Sequence, residues 1–118
     1  MKIEIDRVRI SATGRQQLIQ IKRRTKIDQF NIICRHALVM SLEENSIPPV
    51  EQYEMAGGVE IDWKVFCGGE TNLYYNLLVM RCLADGKEVN ADNLKNTLTT
   101  HLHRGLGYLN SNSDLIFM

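Results

Sequence analysis

Four bases fall within five residues at Lys22-Arg23-Arg24-Thr25-Lys26. Such a density of permanent cations suits a phosphate-backbone contact, in which lysines and arginines release condensed counterions and hold a polyanion without reading its sequence. Some of the cluster has an ordinary structural reason, because cations at a helix C-terminus oppose the macrodipole. Four bases exceed what one helix end needs. Arg7 and Arg9 share one face of a strand and could address guanine edges or phosphates. The candidate nucleic-acid contacts are therefore Arg7, Arg9, Arg15, Lys22, Arg23, Arg24 and Lys26. A helix starting near Asp28 to Asn31 could donate backbone N–H groups to a further phosphate.

No other chemistry assembles. His101-Leu102-His103-Arg104 sets two imidazoles two residues apart, a spacing that does not share a helix face. No acid lies close in sequence to complete a ligand set, so packing and hydrogen bonding are the expected roles. Cys34, Cys67 and Cys82 are odd in number and widely spaced, without a Cys-x-x-Cys pair. They read as reduced structural cysteines, too few for an iron–sulfur cluster held by one chain. Cys34 lies on an apolar stripe, where a thiol is usually inert. There is no Gly-x-Ser-x-Gly elbow and no Walker lysine motif, and Gly105-Leu106-Gly107 lacks the strand-turn-helix setting of a nucleotide fingerprint. Neither catalytic residue, metal nor cofactor is expected.

The formal net charge is zero, yet it is divided by position. Residues 1–40 carry nine Lys or Arg against three Asp or Glu, a surplus of six; residues 41–118 carry five against eleven, the matching deficit. One region is thus suited to a polyanion and the other to a different task. The acidic region of a neighbouring subunit could equally be the partner of the basic region. A chain of 118 residues with 44% hydrophobic content reads as one globular domain. No apolar run reaches transmembrane length. Met1-Lys2-Ile3-Glu4-Ile5-Asp6 bears charges where a secretory leader needs an apolar stretch. A cytoplasmic protein is the expectation.

The elements that must position these residues follow from periodicity. Residues 3–10 read as a strand whose phase slips once between Ile5 and Val8. Thr13 with Gln16 has capping-box spacing, with Ser11 as the alternative N-cap, and a first helix runs to about Arg24. Asp28 can cap a second helix to about Glu44, which Ile47-Pro48-Pro49 ends. Val59, Ile61, Trp63 and Val65 alternate with polar residues, predicting a second strand. A third helix spans about Glu70 to Ala84, buried through Leu73, Leu77, Met80 and Ala84. A fourth begins near Asn90 to Asp92, with Leu94, Leu98, Leu102 and Leu106 every four residues. Gly105 and Gly107 suggest close helix approach at a subunit contact, or the helix end. Leu115-Ile116-Phe117-Met118 close the chain as a frayed or docked tail. The first strand could pair with its copy in a second subunit, as in a ribbon-helix-helix dimer, or with residues 59–66. The fold class is mainly α: an N-terminal strand-helix-helix unit, ribbon-helix-helix-like, followed by a short strand and two further helices. The single domain divides into a basic strand-helix-helix segment (residues 1–45), a loop and short strand (residues 46–69), and a helical acidic segment (residues 70–118).

From Val8 to about Leu109 the chain resembles the DndE family, small subunits of the bacterial DNA phosphorothioation system. The carriers are Arg9-Ile10-Ser11, Leu18 to Thr25, Ser46-Ile47-Pro48-Pro49, Trp63-Lys64-Val65-Phe66 before Gly68-Gly69-Glu70, Arg81-Cys82, and His101-Leu102-His103-Arg104-Gly105 with Tyr108-Leu109. The family pattern runs from Phe directly into Gly-Gly-Glu, and here Cys67 intervenes. The resemblance implies a DNA-binding component that acts with the sulfur-activating proteins of that system. It further implies affinity for nicked duplex, assembly into oligomers, notably tetramers, and Lys22, Arg23 and Arg24 as the residues carried over. It supplies no catalytic residue.

The resulting expectation is a non-catalytic subunit that binds duplex or nicked DNA electrostatically, with the acidic half making the oligomer and meeting partner proteins. Three alternatives stand beside it. A ribbon-helix-helix transcription regulator would prefer one palindromic operator. A nuclease would need clustered acids near the basic region. An assembly subunit would have no DNA affinity.

Overall fold

A computed structural model describes residues 3–112. Its order is β1 (Arg7–Ile10), α1 (Ala12–Thr25), α2 (Phe30–Leu42), β2 (Val59–Asp62), α3 (Trp63–Cys67), α4 (Thr71–Ala84) and α5 (Ala91–Ser111). The protein is mainly α, with one small antiparallel sheet. The tail Leu115 to Met118 lies outside the described residues.

α5 is the axis of the molecule. Its leucines at every fourth position, Leu94, Leu98, Leu102 and Leu106, are all buried, as is Leu109. This repeat paints one stripe along a helix, and α1, α2, α4 and β1 pack around it. Asn90 begins the helix by accepting the Asn93 N–H at 2.8 Å. Gly105 lies where α5 crosses α2: a Cβ there would collide with the Ala37 carbonyl. The close approach expected at this glycine is therefore made within one chain rather than at a subunit contact, and the helix continues through Gly107 to Ser111.

β1 pairs antiparallel with β2, Arg7 opposite Asp62, Val8 opposite Ile61, Arg9 opposite Glu60 and Ile10 opposite Val59. Of the two pairings open from sequence, the intrachain one is found. Val8 and Ile10 point into the core while Arg7 and Arg9 point out. The strand is shorter than residues 3–10, and Ile5 is nonetheless buried.

Three expected elements need correction. The alternation at 59–65 does not continue as a strand, because the chain turns helical at Trp63. In α3 the buried residues are Trp63, Phe66 and Cys67, at spacings of three and one, while Val65 is exposed. Periodicity predicts two helices after β2, and three are formed. The N-cap of α2 is Gln29 rather than Asp28, with no side-chain capping bond. α4 is oriented differently from its apolar stripe: it buries Leu78, Arg81 and Cys82, whereas Leu73 and Met80 are 52% and 65% exposed.

Candidate nucleic-acid interface

α1 carries the densest cations. Its N-cap is Ser11, whose hydroxyl accepts the Gly14 N–H at 3.0 Å; the alternative cap is thus the one used, and the expected Thr13–Gln16 box is not. Leu18 and Ile21 are buried and fix which side of the helix faces solvent. No acid occurs anywhere in α1. Arg15 and Lys22, two turns apart, share a face, and Arg23 flanks Lys22. All three are exposed, and none has an ion-pair partner among the described residues. Lys22 places its Nζ 5.5 Å from the centre of the Phe30 ring. The helix ends on Lys26, which adopts a left-handed φ of 62° and donates its N–H to the Lys22 carbonyl. The left-handed turn is unfavourable for a residue with a Cβ. It lets the chain reverse within residues 26–29, so that the uncapped N-terminus of α2 follows closely on the basic end of α1.

Arg24 is directed elsewhere. Its Nη2 donates to the Leu109 carbonyl at 3.1 Å and to Asn110 Oδ1 at 3.3 Å, closing the C-terminal end of α5. Arg7 and Arg9 are also drawn aside. Glu60, opposite Arg9 in register, takes Arg7 Nη1 at 3.1 Å and Arg9 Nε at 3.2 Å. Asp6 and Asp62 border the same shallow hollow. Exposed pairs of this kind contribute little stability, yet three acids around two arginines leave the β1 surface without a positive surplus. Of the seven candidates, four stay together as a free cationic group: Arg15, Lys22, Arg23 and Lys26.

A second polar constellation is not legible in the sequence as a site. Arg81 and Arg104 both grip the segment that follows α2. Arg81 donates to the carbonyls of Glu44, Asn45 (2.6 Å) and Ser46 (3.2 Å), and it pairs with Asp85 at 3.1 Å with both side chains under one tenth exposed. Arg104 donates to the Ser41 hydroxyl at 2.8 Å and carbonyl at 3.0 Å, and to the Ser46 hydroxyl at 2.9 Å. His101 Nδ1 meets the same Ser41 hydroxyl at 2.8 Å. The last carbonyls of a helix have no partners within it; Arg104 reaches one of them at Ser41, while Arg81 holds three carbonyls beyond the helix end. His103 works at the other corner: its Nε2 accepts the Ser11 N–H at 3.0 Å, and its Nδ1 lies 2.7 Å from the Thr99 carbonyl. The bond from Ser11 fixes the neutral tautomer with the proton on Nδ1. Burial lowers the pKa of both histidines, His101 to about 4, where Arg104 and Arg81 add to the effect. The signal in the sequence is Arg81 inside an apolar helix, four residues before Asp85.

These contacts assign structural work to the histidines. No group of three His, Cys, Asp or Glu placed to hold a metal occurs among the described residues. Burial pushes the Cys34 thiol up to about 12, so it stays protonated. Cys67 and Cys82 are buried as well. No helix of the described residues is long and apolar enough to cross a membrane.

Residues 7–116 match the family model for the DNA sulphur modification protein DndE. Among solved structures, the fold is similar to that of DndE from Escherichia coli B7A, described as involved in DNA phosphorothioation modification. The TM-score is 0.70 at 20% identity, over 91% of this chain and 99% of that one. A glycine-to-lysine mutant of DndE gives a TM-score of 0.65 at the same identity and coverage. No curated protein matches.

Proposed function

The chain belongs to the DndE family of DNA sulphur modification proteins, and from that membership we propose that it serves phosphorothioation as a non-catalytic DNA-binding subunit. It holds duplex or nicked DNA on the exposed basic face of α1 and acts alongside the other proteins of the system as a homo-oligomer. The observation that carries this reading is the cationic group of Arg15, Lys22, Arg23 and Lys26, exposed on and just after a helix without a single acid. Exposed cations on such a helix favour phosphates in a manner that salt weakens. The N-terminal end of α2 adds the positive end of a helix dipole beside them. Arg7 and Arg9 contribute less, because Glu60 competes for them.

The test is binding to intact, nicked and random-sequence duplexes by fluorescence anisotropy across a salt series. The affinity is expected to fall steeply with salt and to depend little on sequence. Substituting Arg15, Lys22 and Arg23 together by Gln should lower the slope of log K against log salt by roughly 2 to 3, about 0.9 for each lost phosphate contact. A flat salt response in the natural protein, or an unchanged slope in the triple variant, would overturn the reading. Absence of binding to every duplex would favour a pure assembly subunit.

A further inference from the structure

Three arginines spend several donors on the fold. Arg24, Arg81 and Arg104 each make two or more hydrogen bonds, and Arg81 and Arg104 also pair with Asp85 and Glu44. Arg35 of α2 is different. It is partly buried, and its Nη1 donates to the Phe66 carbonyl at 2.8 Å, near the C-terminal end of α3. Gly68, the C-cap of that helix, lies against it: a Cβ there would stand 2.9 Å from Nη1. A guanidinium carries five N–H donors, and this contact uses one. No acid lies within ion-pair distance of Arg35 among the described residues, and α2 itself contains none. The group is held in place with most of its donors and its charge unspent. It borders a groove of about 310 Å³ together with Ile32, His36 and Val39 of α2 and Tyr74 of α4. Burial and the Arg35 charge both lower the His36 pKa, so Arg35 is felt in the groove as a net positive charge.

We infer that this groove is an oxyanion site built on Arg35, and that it takes a backbone phosphate of the DNA held by α1. The inference rests on the proposed function and extends its contact surface from α1 onto α2. A planar guanidinium meets two phosphate oxygens at once through parallel N–H groups. A fork already fixed by one carbonyl gives up less freedom in doing so. The apolar walls supplied by Ile32 and Val39 reduce screening of the contact by water. Placement favours a phosphate of DNA over a free anion. Phe30 opens α2, and Lys22 of the cationic group sets its Nζ 5.5 Å from the centre of that ring. Arg35 follows about 7.5 Å further along the helix axis, at 1.5 Å per residue. Phosphates recur about every 3.4 Å of rise along each strand, so one duplex can span both contacts.

The experiment measures duplex binding by fluorescence anisotropy across a salt series for the full chain and its Arg35→Gln, Arg35→Lys and Lys95→Gln variants. Lys95 is exposed on α5, outside the proposed contact, and controls for the loss of one charge. Arg35→Gln is expected to lower the slope of log K against log salt by about 0.9, one phosphate contact, and Lys95→Gln to leave it unchanged. Arg35→Lys keeps the charge and loses the fork, so it should retain the slope and bind several-fold more weakly. A role confined to the Phe66 carbonyl would lower the melting temperature of both Arg35 variants without moving the slope, and that result overturns the inference. A second measurement needs no variant. In nitrogen–proton correlation spectra of the natural protein, the Arg35 Nε–H signal is expected to shift on addition of a short duplex. A signal that stays in place at saturating duplex, or that moves only with inorganic phosphate, overturns the assignment to DNA. A slope lowered by the Arg15, Lys22 and Arg23 substitutions but not by Arg35→Gln overturns this site alone and leaves binding through α1 standing. Absence of duplex binding by the natural protein overturns both.

Discussion

At the scale of single residues, the polar side chains most firmly held are those that finish other elements. Arg104 finishes α2, Arg81 fixes the segment that leaves it, Arg24 finishes α5, and His103 takes the N–H at the start of α1. A guanidinium suits this task because its planar fork meets several carbonyls at once. His101 and His103 carry a pH consequence. Both have folded pKa values below the ordinary 6.5, His101 at about 4. The unfolded chain therefore binds more protons than the folded one as pH falls past 6.5, and stability declines from there toward the folded values. Above that range the contribution is fully present. The denaturant midpoint is expected to be lower near pH 5.5 than near pH 7.5, and His101→Gln should flatten some of that slope. Equal slopes for the two proteins would contradict the assignment.

At the scale of elements, the fold is fixed by where two backbones meet. α2 and α5 cross at Gly105 against Ala37, too close for any side chain on α5. Gly105→Ala must push the helices apart and open the seam around Leu38 and Leu102, both fully buried. Overpacking of this sort costs roughly 1 to 3 kcal/mol, and the upper end of that range applies because the obstructing atoms are backbone. Gly107→Ala, facing only Gln17 across 4.0 Å, should cost far less or stabilise the helix. Thermal denaturation of the two variants compares them directly, and equal losses would mean that helix propensity, not the crossing, governs. Element boundaries are legible in the sequence where a side chain caps, as at Asn90 before α5; α1 starts on Ser11 rather than on the Thr13–Gln16 box, and α2 ends at Leu42, six residues before Pro48. They are less legible at Trp63, where the change from strand to helix leaves the apolar spacing nearly intact for one more step.

At the scale of the whole molecule, a chain of zero net charge is divided into surfaces of different character. α1 offers cations without anions, β1 and β2 interleave both signs, and α4 offers neither. Under the proposed function, raising salt should weaken DNA binding through α1, measured by fluorescence anisotropy across a salt series. The sequence by itself determined the mainly helical class, the leucine stripe of α5, the basic end of α1 and the family, because these depend on local periodicity, capping and short ordered motifs. Only the tertiary structure decided which cations stay free. Arg7, Arg9 and Arg24 look like Lys22 in the sequence, but their partners Glu60 and the Leu109 carbonyl arrive from 51 or more residues away. The orientation of α4 was decided in the same way: a helix apolar on both sides gives its periodicity no preferred face, and the buried Arg81–Asp85 pair, anchored on the carbonyls after α2, selects one.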